Sequence, residues 1–190
     1  MTVNIVNARA EEASMIAKMI MEAMNHECCK WFAGSHHSLQ DFHRLMKRLV
    51  EQEDSQYSYR NTLVAKTKDN TIVGICVSYE GSKLHELRRA FIEGAKQSFG
   101  IDHSDMPDET QSGELYIDSL CTDKNCRGQG IASKLLLATI EKGRMLHLPT
   151  GLLVDKGNPK AEKLYSRLGF QYVDDNEWGG HPMRHLLYPI

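Results

Sequence analysis

Long apolar runs are missing from the chain, and none approaches the ~20 residues that a membrane-spanning helix requires. The opening residues, Met1-Thr2-Val3-Asn4, carry neither the basic stretch nor the apolar core of an export signal. A cytoplasmic protein with no membrane partner is therefore expected. An excess of one charge is missing too: 23 Lys and Arg against 25 Asp and Glu leave a formal net charge of −2. With no surplus cations to displace counterions from phosphates, no nucleic-acid partner is expected. Cysteine is sparse, and Cys28, Cys29, Cys76, Cys121 and Cys126 are odd in number and lack CxxC spacing, which suits reduced thiols. Cys28-Cys29 and His36-His37 do not reproduce knuckle or HExxH spacing, so no metal is expected. Internal repeats and low-complexity tracts are also lacking.

What is present, 41% hydrophobic and 25% charged residues over 190 positions, is the composition of a globular chain able to bury a core without staples. We read residues 1–190 as one domain. Its pattern switches repeatedly between strand-like and helix-like periods, which predicts an α+β or mixed α/β fold. Val3 to Ala8 reads as a strand, and Ile16, Met19, Ile20, Ala23 and Met24 line one face of a helix. Asn25 to His37 reads as irregular. Ser38, with Asp41 three residues on, caps a helix whose apolar face is Leu39, Phe42, Met46, Leu49 and Val50. After a polar loop from Gln52 to Arg60, Leu63-Val64-Ala65 and Ile72 to Val77 form two strands joined by the turn Lys68-Asp69-Asn70. Leu84, Leu87, Phe91, Ala95 and Phe99 mark another amphipathic helix, followed by a polar stretch from Asp102 to Ser112.

The second half alternates strands with helices. Strand Glu114 to Thr122 runs through Asp123-Lys124-Asn125 into Arg127-Gly128-Gln129-Gly130-Ile131-Ala132-Ser133 and a helix carrying Leu135, Leu136 and Ile140. Strand Leu152-Leu153-Val154 then leads to Asn158-Pro159, an N-cap and first-turn proline, and to a helix closed by Gly169. Phe170 to Val173 and Met183 to Tyr188 are two last strands around Trp178-Gly179-Gly180. A glycine-rich turn at a helix start lets backbone N–H groups and the positive helix end approach an anion, so the loop reads as a phosphate cradle. The Walker pattern fails there because no lysine stands in register. The dinucleotide pattern Gly-x-Gly-x-x-Gly fits two positions and meets Ser133 at the third.

Arg127-x-x-Gly130-x-Ala132 behind its strand resembles the cofactor signature of the GNAT acetyltransferases. The likeness continues through Leu152-Leu153-Val154 to Asn158 and on to Tyr165 and Gly169-Phe170, so it is strong from Glu114 to Val173. Upstream, it rests on element order alone. The resemblance implies a central, largely antiparallel twisted sheet, flanked by helices and splayed at an acetyl-CoA cleft. It implies that the backbones of Leu120, Cys121 and Thr122 pair with the pantetheine amides and that Arg127 to Ser133 hold the pyrophosphate. Asn158 would touch the cofactor arm, cap its helix, or do both.

An acetyltransferase acting on an amine is thus implied, and a non-catalytic acyl-CoA sensor is the rival reading. Tyr165 shares a helix face with Ala161, Leu164 and Leu168, which fits a core aromatic, while the resemblance places it near the thioester sulfur as proton donor. An amine with a pKa of about 10.4 must lose a proton before it attacks, which calls for a base. Glu114 and Asp118 share one face of their strand and are the candidates beside a water chain. A covalent cysteine route finds no His-Cys pairing to support it. The acceptor is expected to be a small-molecule amine, with a protein or peptide amine as the alternative. Residues 81–112 are longer than the hairpin usual at this point of the family's pattern. Their helix is expected to dock on the domain or on a second subunit, making a homodimer one expected assembly, and their acidic loop is expected to face a cationic acceptor.

Overall fold

The computed structural model describes residues 2–190. Its sheet contains seven strands, β1 (Asn4–Asn7), β2 (Thr62–Lys66), β3 (Ile72–Glu80), β4 (Leu115–Thr122), β5 (Thr150–Asp155), β6 (Gln171–Trp178) and β7 (His181–Tyr188). The spatial order is β1-β2-β3-β4-β5-β7-β6, and every neighbouring pair is antiparallel except β4 and β5. The helices are α1 (Ala13–Met24), α2 (His26–Ala33), α3 (Leu39–Glu51), α4 (Leu84–Phe99), α5 (Ile131–Met145) and α6 (Pro159–Leu168).

The two faces of the sheet bury different helix sets. Ile131, Leu135, Leu136 and Ile140 recur at helical spacing along α5 and pack on Val73, Cys76, Ile117 and Leu152, with Leu164, Tyr165 and Leu168 of α6 at the margin. Ile16, Ile20, Phe32, Phe42, Met46, Leu49 and Phe91 cover the opposite face over Val64, Ile75, Val77 and Cys121. The helix ends are written locally. Ser38 Oγ accepts from the Asp41 N–H at 3.2 Å while the Asp41 carboxylate accepts from the Ser38 N–H at 2.7 Å, closing a capping box at α3. Gly169, at φ +104°, stops α6 in the left-handed conformation.

Two stretches differ from the sequence expectation. Residues 26–33 form helix α2, whose Asn25 cap accepts from the Cys28 N–H at 2.9 Å; its one-sided burial of Cys29, Phe32 and Ala33 is too short to register as a period. Strand β6 runs on to Trp178, because pairing with β7 carries the polar residues Asp174 to Glu177 along the sheet edge. Such an edge strand needs no apolar alternation.

Candidate active site

Strand β4 changes its company half-way along. Leu115, Tyr116 and Ile117 pair with Thr150, Gly151 and Leu152 of β5, and the parallel ladder stops there. From Ser119 onward β4 is paired with β3 alone, while Leu153 to Asp155 of β5 are paired with β7 alone. The two strands thus part at Asp118, leaving backbone groups of Leu120, Cys121 and Thr122 without a strand partner toward β5. A bulge sits at the same point: Val77 lies opposite Ser119 and Ser78 opposite Ile117, so Asp118 is the extra residue. Bulges increase local twist, which helps to turn β4 away from β5.

The carboxyl end of β4 runs into the glycine loop. Asp123 Oδ1 accepts from the Asn125 N–H at 2.8 Å, shaping a tight turn, and Arg127 Nε donates to the Thr122 carbonyl at 3.4 Å. Gly128 and Gly130 stand at φ +75° and +76°, and a Cβ added to either would meet no atom within 4 Å. The backbone is therefore bare toward open space, and Gly130 lends no side chain to the first turn of α5, where the N–H groups of Ile131, Ala132 and Ser133 begin the helix. Thr122 Oγ1 is buried without a partner among the described residues. Across the opening, Asn158 Oδ1 caps α6 by accepting from the Ala161 N–H at 3.2 Å, so the capping role is present and the side-chain NH₂ is left for another contact. Tyr165 packs edge-on against Phe170 at 5.8 Å, and its hydroxyl has no hydrogen bond among the described residues. Burial pushes that phenol well above its ordinary pKa, so it keeps its proton. Burial likewise lifts the Cys121 thiol to about 11, away from the thiolate form a nucleophile needs.

Glu114 and Asp118 occupy the face away from α5, but in different surroundings. Glu114, the residue just before β4, is buried, with Oε1 accepting from Thr110 Oγ1 at 2.5 Å and Oε2 lying 2.8 Å from His185 Nε2. His185 Nδ1 lies 3.4 Å from Asp174. The Glu114 hydrogen bond is the main cause holding the imidazole pKa above its usual value, against desolvation. A Cβ at Gly151 would collide with the Glu114 carboxylate, so this pair lies flat on the sheet because residue 151 is glycine. The pair borders a pocket of about 260 Å³ lined also by Glu109, Asp174 and Asn176.

Asp118 sits at the apex of the opening. Its Oδ1 accepts from Ser119 Oγ at 2.8 Å and its Oδ2 from Gln56 Nε2 at 3.3 Å, while Tyr79 Oη lies 3.4 Å from Oδ2 and shares its one proton with the nearer Glu109 Oε1 at 3.0 Å. Desolvation raises its pKa, opposed by those three hydrogen bonds. Four residues of strand, about 13 Å, separate it from Glu114.

Helix α4 and the loop behind it roof this face. Leu84, Leu87, Tyr79 and Tyr116 form a small cluster, and Arg88, 3% exposed, donates to the carbonyls of Met106 and Pro107 and pairs with Asp108 and Glu109. Its guanidinium also lies 5.8 Å from the Trp178 ring centre, tying α4 to the β6–β7 tip. The acidic loop is thus partly neutralised: Asp108 and Glu109 face Arg88, and Glu109 is buried, whereas Asp105 is exposed. Gln56, Tyr79, Arg88 and His185 lie far from the glycine loop in sequence, and no local pattern marks them.

Residues 20–170 match the model of the Acetyltransferase (GNAT) family. The chain belongs to that family. Over 64 residues it is 39% identical to the acetyltransferase Atu2258 of Agrobacterium fabrum, a segment covering 34% of this chain and 46% of that relative. The fold of this GNAT chain is similar to that of an N-acetyltransferase from Staphylococcus aureus Mu50, with a TM-score of 0.81, 25% identity, and coverage of 97% of this chain and 99% of that one. A structure of the NatC complex bound to Gag peptide and CoA shares the fold at a TM-score of 0.59 and 17% identity, covering 100% of this chain and 99% of its own. Among the described residues, no helix is long and apolar enough to cross a membrane.

Proposed function

We propose that the chain is an N-acetyltransferase that takes acetyl from acetyl-CoA and passes it to the primary amine of a small molecule, directly and within a ternary complex. The observation that carries this reading is the parting of β4 and β5 at Asp118, with an open glycine cradle at the far end of the same strand. The residues fit the cofactor. Bare backbone at Gly128 and Gly130, followed by the first turn of α5, suits a pyrophosphate, with Arg127 and Gln129 beside it. The unpaired edge of Leu120, Cys121 and Thr122, with the orphaned Thr122 hydroxyl, suits the amide-bearing arm as an added strand, and Asn158 offers its NH₂ from the other side. Acetyl-CoA, when bound, supplies an activated acyl group.

The chain's residues then divide the proton work. Asp118, at the apex and shifted upward by burial, takes the proton from the amine. Tyr165, protonated and without a hydrogen-bond partner among the described residues, gives one to the departing sulfur. Glu114, tied to Thr110 and His185, sits about 13 Å back along the strand and shapes the acceptor face. Residues 1–190 act as one domain, with residues 81–112 inserted as the roof over that face, and the charge balance and reduced thiols suit the cytoplasm. Following CoA release with a thiol reagent across a panel of amines tests the reading. Amine-dependent release supports it, and CoA binding without release toward any amine leaves a sensor in its place.

A further inference from the structure

Gln56 stands in the loop ahead of β2 and is 4% exposed. Its N–H donates to the Leu87 carbonyl of α4 at 3.3 Å, its carbonyl accepts from Asn61 Nδ2 at 3.3 Å, and its Nε2 donates to Asp118 Oδ2 at 3.3 Å. Each of these bonds fixes the residue from a different side. Only Oε1 is left, buried and without a partner among the described residues. Turning the amide over would set Oε1 against the Asp118 carboxylate, so the orientation is dictated by that neighbour. A buried acceptor left unpaired costs folding free energy, and here it lies beside the carboxylate at the apex of the β4–β5 opening. The unmet group calls for a donor from outside the chain.

We propose that Gln56 Oε1 and Asp118 form a two-acceptor seat for the nitrogen of a primary amine, making Gln56 the residue that selects primary amines over secondary amines and alcohols. The inference rests on the acetyl-transfer reading above and goes beyond it. In the reaction the nitrogen lone pair forms the C–N bond while the C–S bond breaks. One nitrogen proton passes to Asp118, and the sulfur takes one from Tyr165, so the net transfer is from nitrogen to sulfur. A neutral primary amine carries two N–H bonds: one faces Asp118 and leaves, and the other stays and satisfies Gln56 Oε1 throughout. A secondary amine or an alcohol has a single N–H or O–H, which the base consumes, and leaves Oε1 facing carbon or nothing. Discrimination of this kind arises because a buried polar group is left unpaired with the wrong substrate.

The test compares kcat/KM for n-butylamine, benzylamine, phenethylamine, 1,4-diaminobutane and lysine with that of each N-methyl counterpart, at saturating acetyl-CoA, for the wild type and Gln56→Met. The wild type should favour the primary amine by about tenfold or more. In Gln56→Met, which keeps the side-chain length and loses the acceptor, that ratio should fall toward one, with KM for acetyl-CoA unchanged. A wild-type ratio within about twofold overturns the seat whether or not the variant folds. So does a ratio that is the same in both proteins. If the wild type binds CoA but acetylates none of the amines, the transferase reading itself is overturned and the seat with it, an outcome distinct from activity without discrimination.

Discussion

If the glycine loop holds a pyrophosphate, a negative charge placed at residue 130 must weaken CoA binding, and the structure allows that charge to be isolated from everything else. Gly130 stands at φ +76°, and a Cβ there meets nothing within 4 Å, so substitution is limited by backbone conformation rather than by space. An L-residue in the left-handed region costs roughly 1–2 kcal/mol, and Asn and Asp tolerate it better than most. Gly130→Asn and Gly130→Asp therefore share shape and backbone cost and differ by one charge. A carboxylate about 5 Å from a phosphate charge, at an effective dielectric between that of water and that of a protein surface, repels it by about 1–3 kcal/mol. That is a factor of roughly 5 to 150 in Kd. Calorimetric titration with CoA should find the Asn variant within about tenfold of wild type and the Asp variant weaker than Asn by the factor above. The gap should narrow as salt rises from about 0.05 to 0.5 M, because the loop is open to solvent. Equal affinities for the two variants, or a gap indifferent to salt, would refute the cradle. Matching thermal unfolding of the pair would show that the comparison reads charge alone.

Tyr165→Phe keeps the ring against Phe170 and removes the proton donor, so turnover should fall by ~10²- to 10⁴-fold with little change in KM for acetyl-CoA, and turnover within about twofold of wild type would reduce Tyr165 to packing. Glu109→Gln takes the buried carboxylate from Arg88, which is itself 3% exposed, and urea denaturation should show a loss of about 3–5 kcal/mol; a loss below about 1 kcal/mol would mean that Asp108 and the carbonyls of Met106 and Pro107 suffice to hold the guanidinium. The pair of His185 and Glu114 sets a pH dependence: the imidazole pKa is raised above 6.5, so the pair's stabilisation is fully present below that unfolded value and disappears as pH climbs through the folded one. The stability difference between wild type and Glu114→Gln should accordingly be largest near pH 6 and shrink toward pH 9, and a flat difference would contradict the ion pair.

Local chemistry made much of this architecture readable in advance. The box of Ser38 and Asp41, the Asn158-Pro159 start and the Gly169 stop are each decided within four residues, and each stands where the sequence puts it. The apolar face of α4 was legible for the same reason, since Leu84, Leu87, Phe91 and Ala95 bury one stripe. Arg88 in that stripe was not, because its partners, Glu109 and the Trp178 ring, come from a later loop and from the β6–β7 tip. The glycine loop could be read as a candidate anion cradle because such a cradle is built from consecutive residues. The proposed acceptor face could not be read in this way. Asp118 meets Gln56 from 62 residues upstream and Tyr79 from 39, and Glu114 meets His185 from 71 downstream, distances at which only sheet order and register decide who touches whom.

Register also separates the two carboxylates that strand alternation leaves equivalent. Because β4 stays zipped to β5 through Ile117, Glu114 lies in the closed part of the sheet, where Gly151 makes room for its contact with His185 and Thr110 supplies a further donor. For Glu114 to accept a proton from a substrate, it would have to surrender its buried hydrogen bonds with His185 and Thr110, and leaving such buried groups unpaired is costly. Asp118 is tied differently. Its own donors are a hydroxyl and an amide, both neutral, the Tyr79 phenol being shared with Glu109, and burial raises its pKa against these bonds and the nearby Arg88 charge. It also occupies the bulge at which the strands part, the one place along β4 where a group bound in the seam and a group bound on the roofed face would meet. On the proposed reading the base is therefore Asp118, and Glu114 keeps the acceptor face in shape. On the same reading, the difference between two carboxylates that look alike in the sequence comes down to the length of a three-residue ladder.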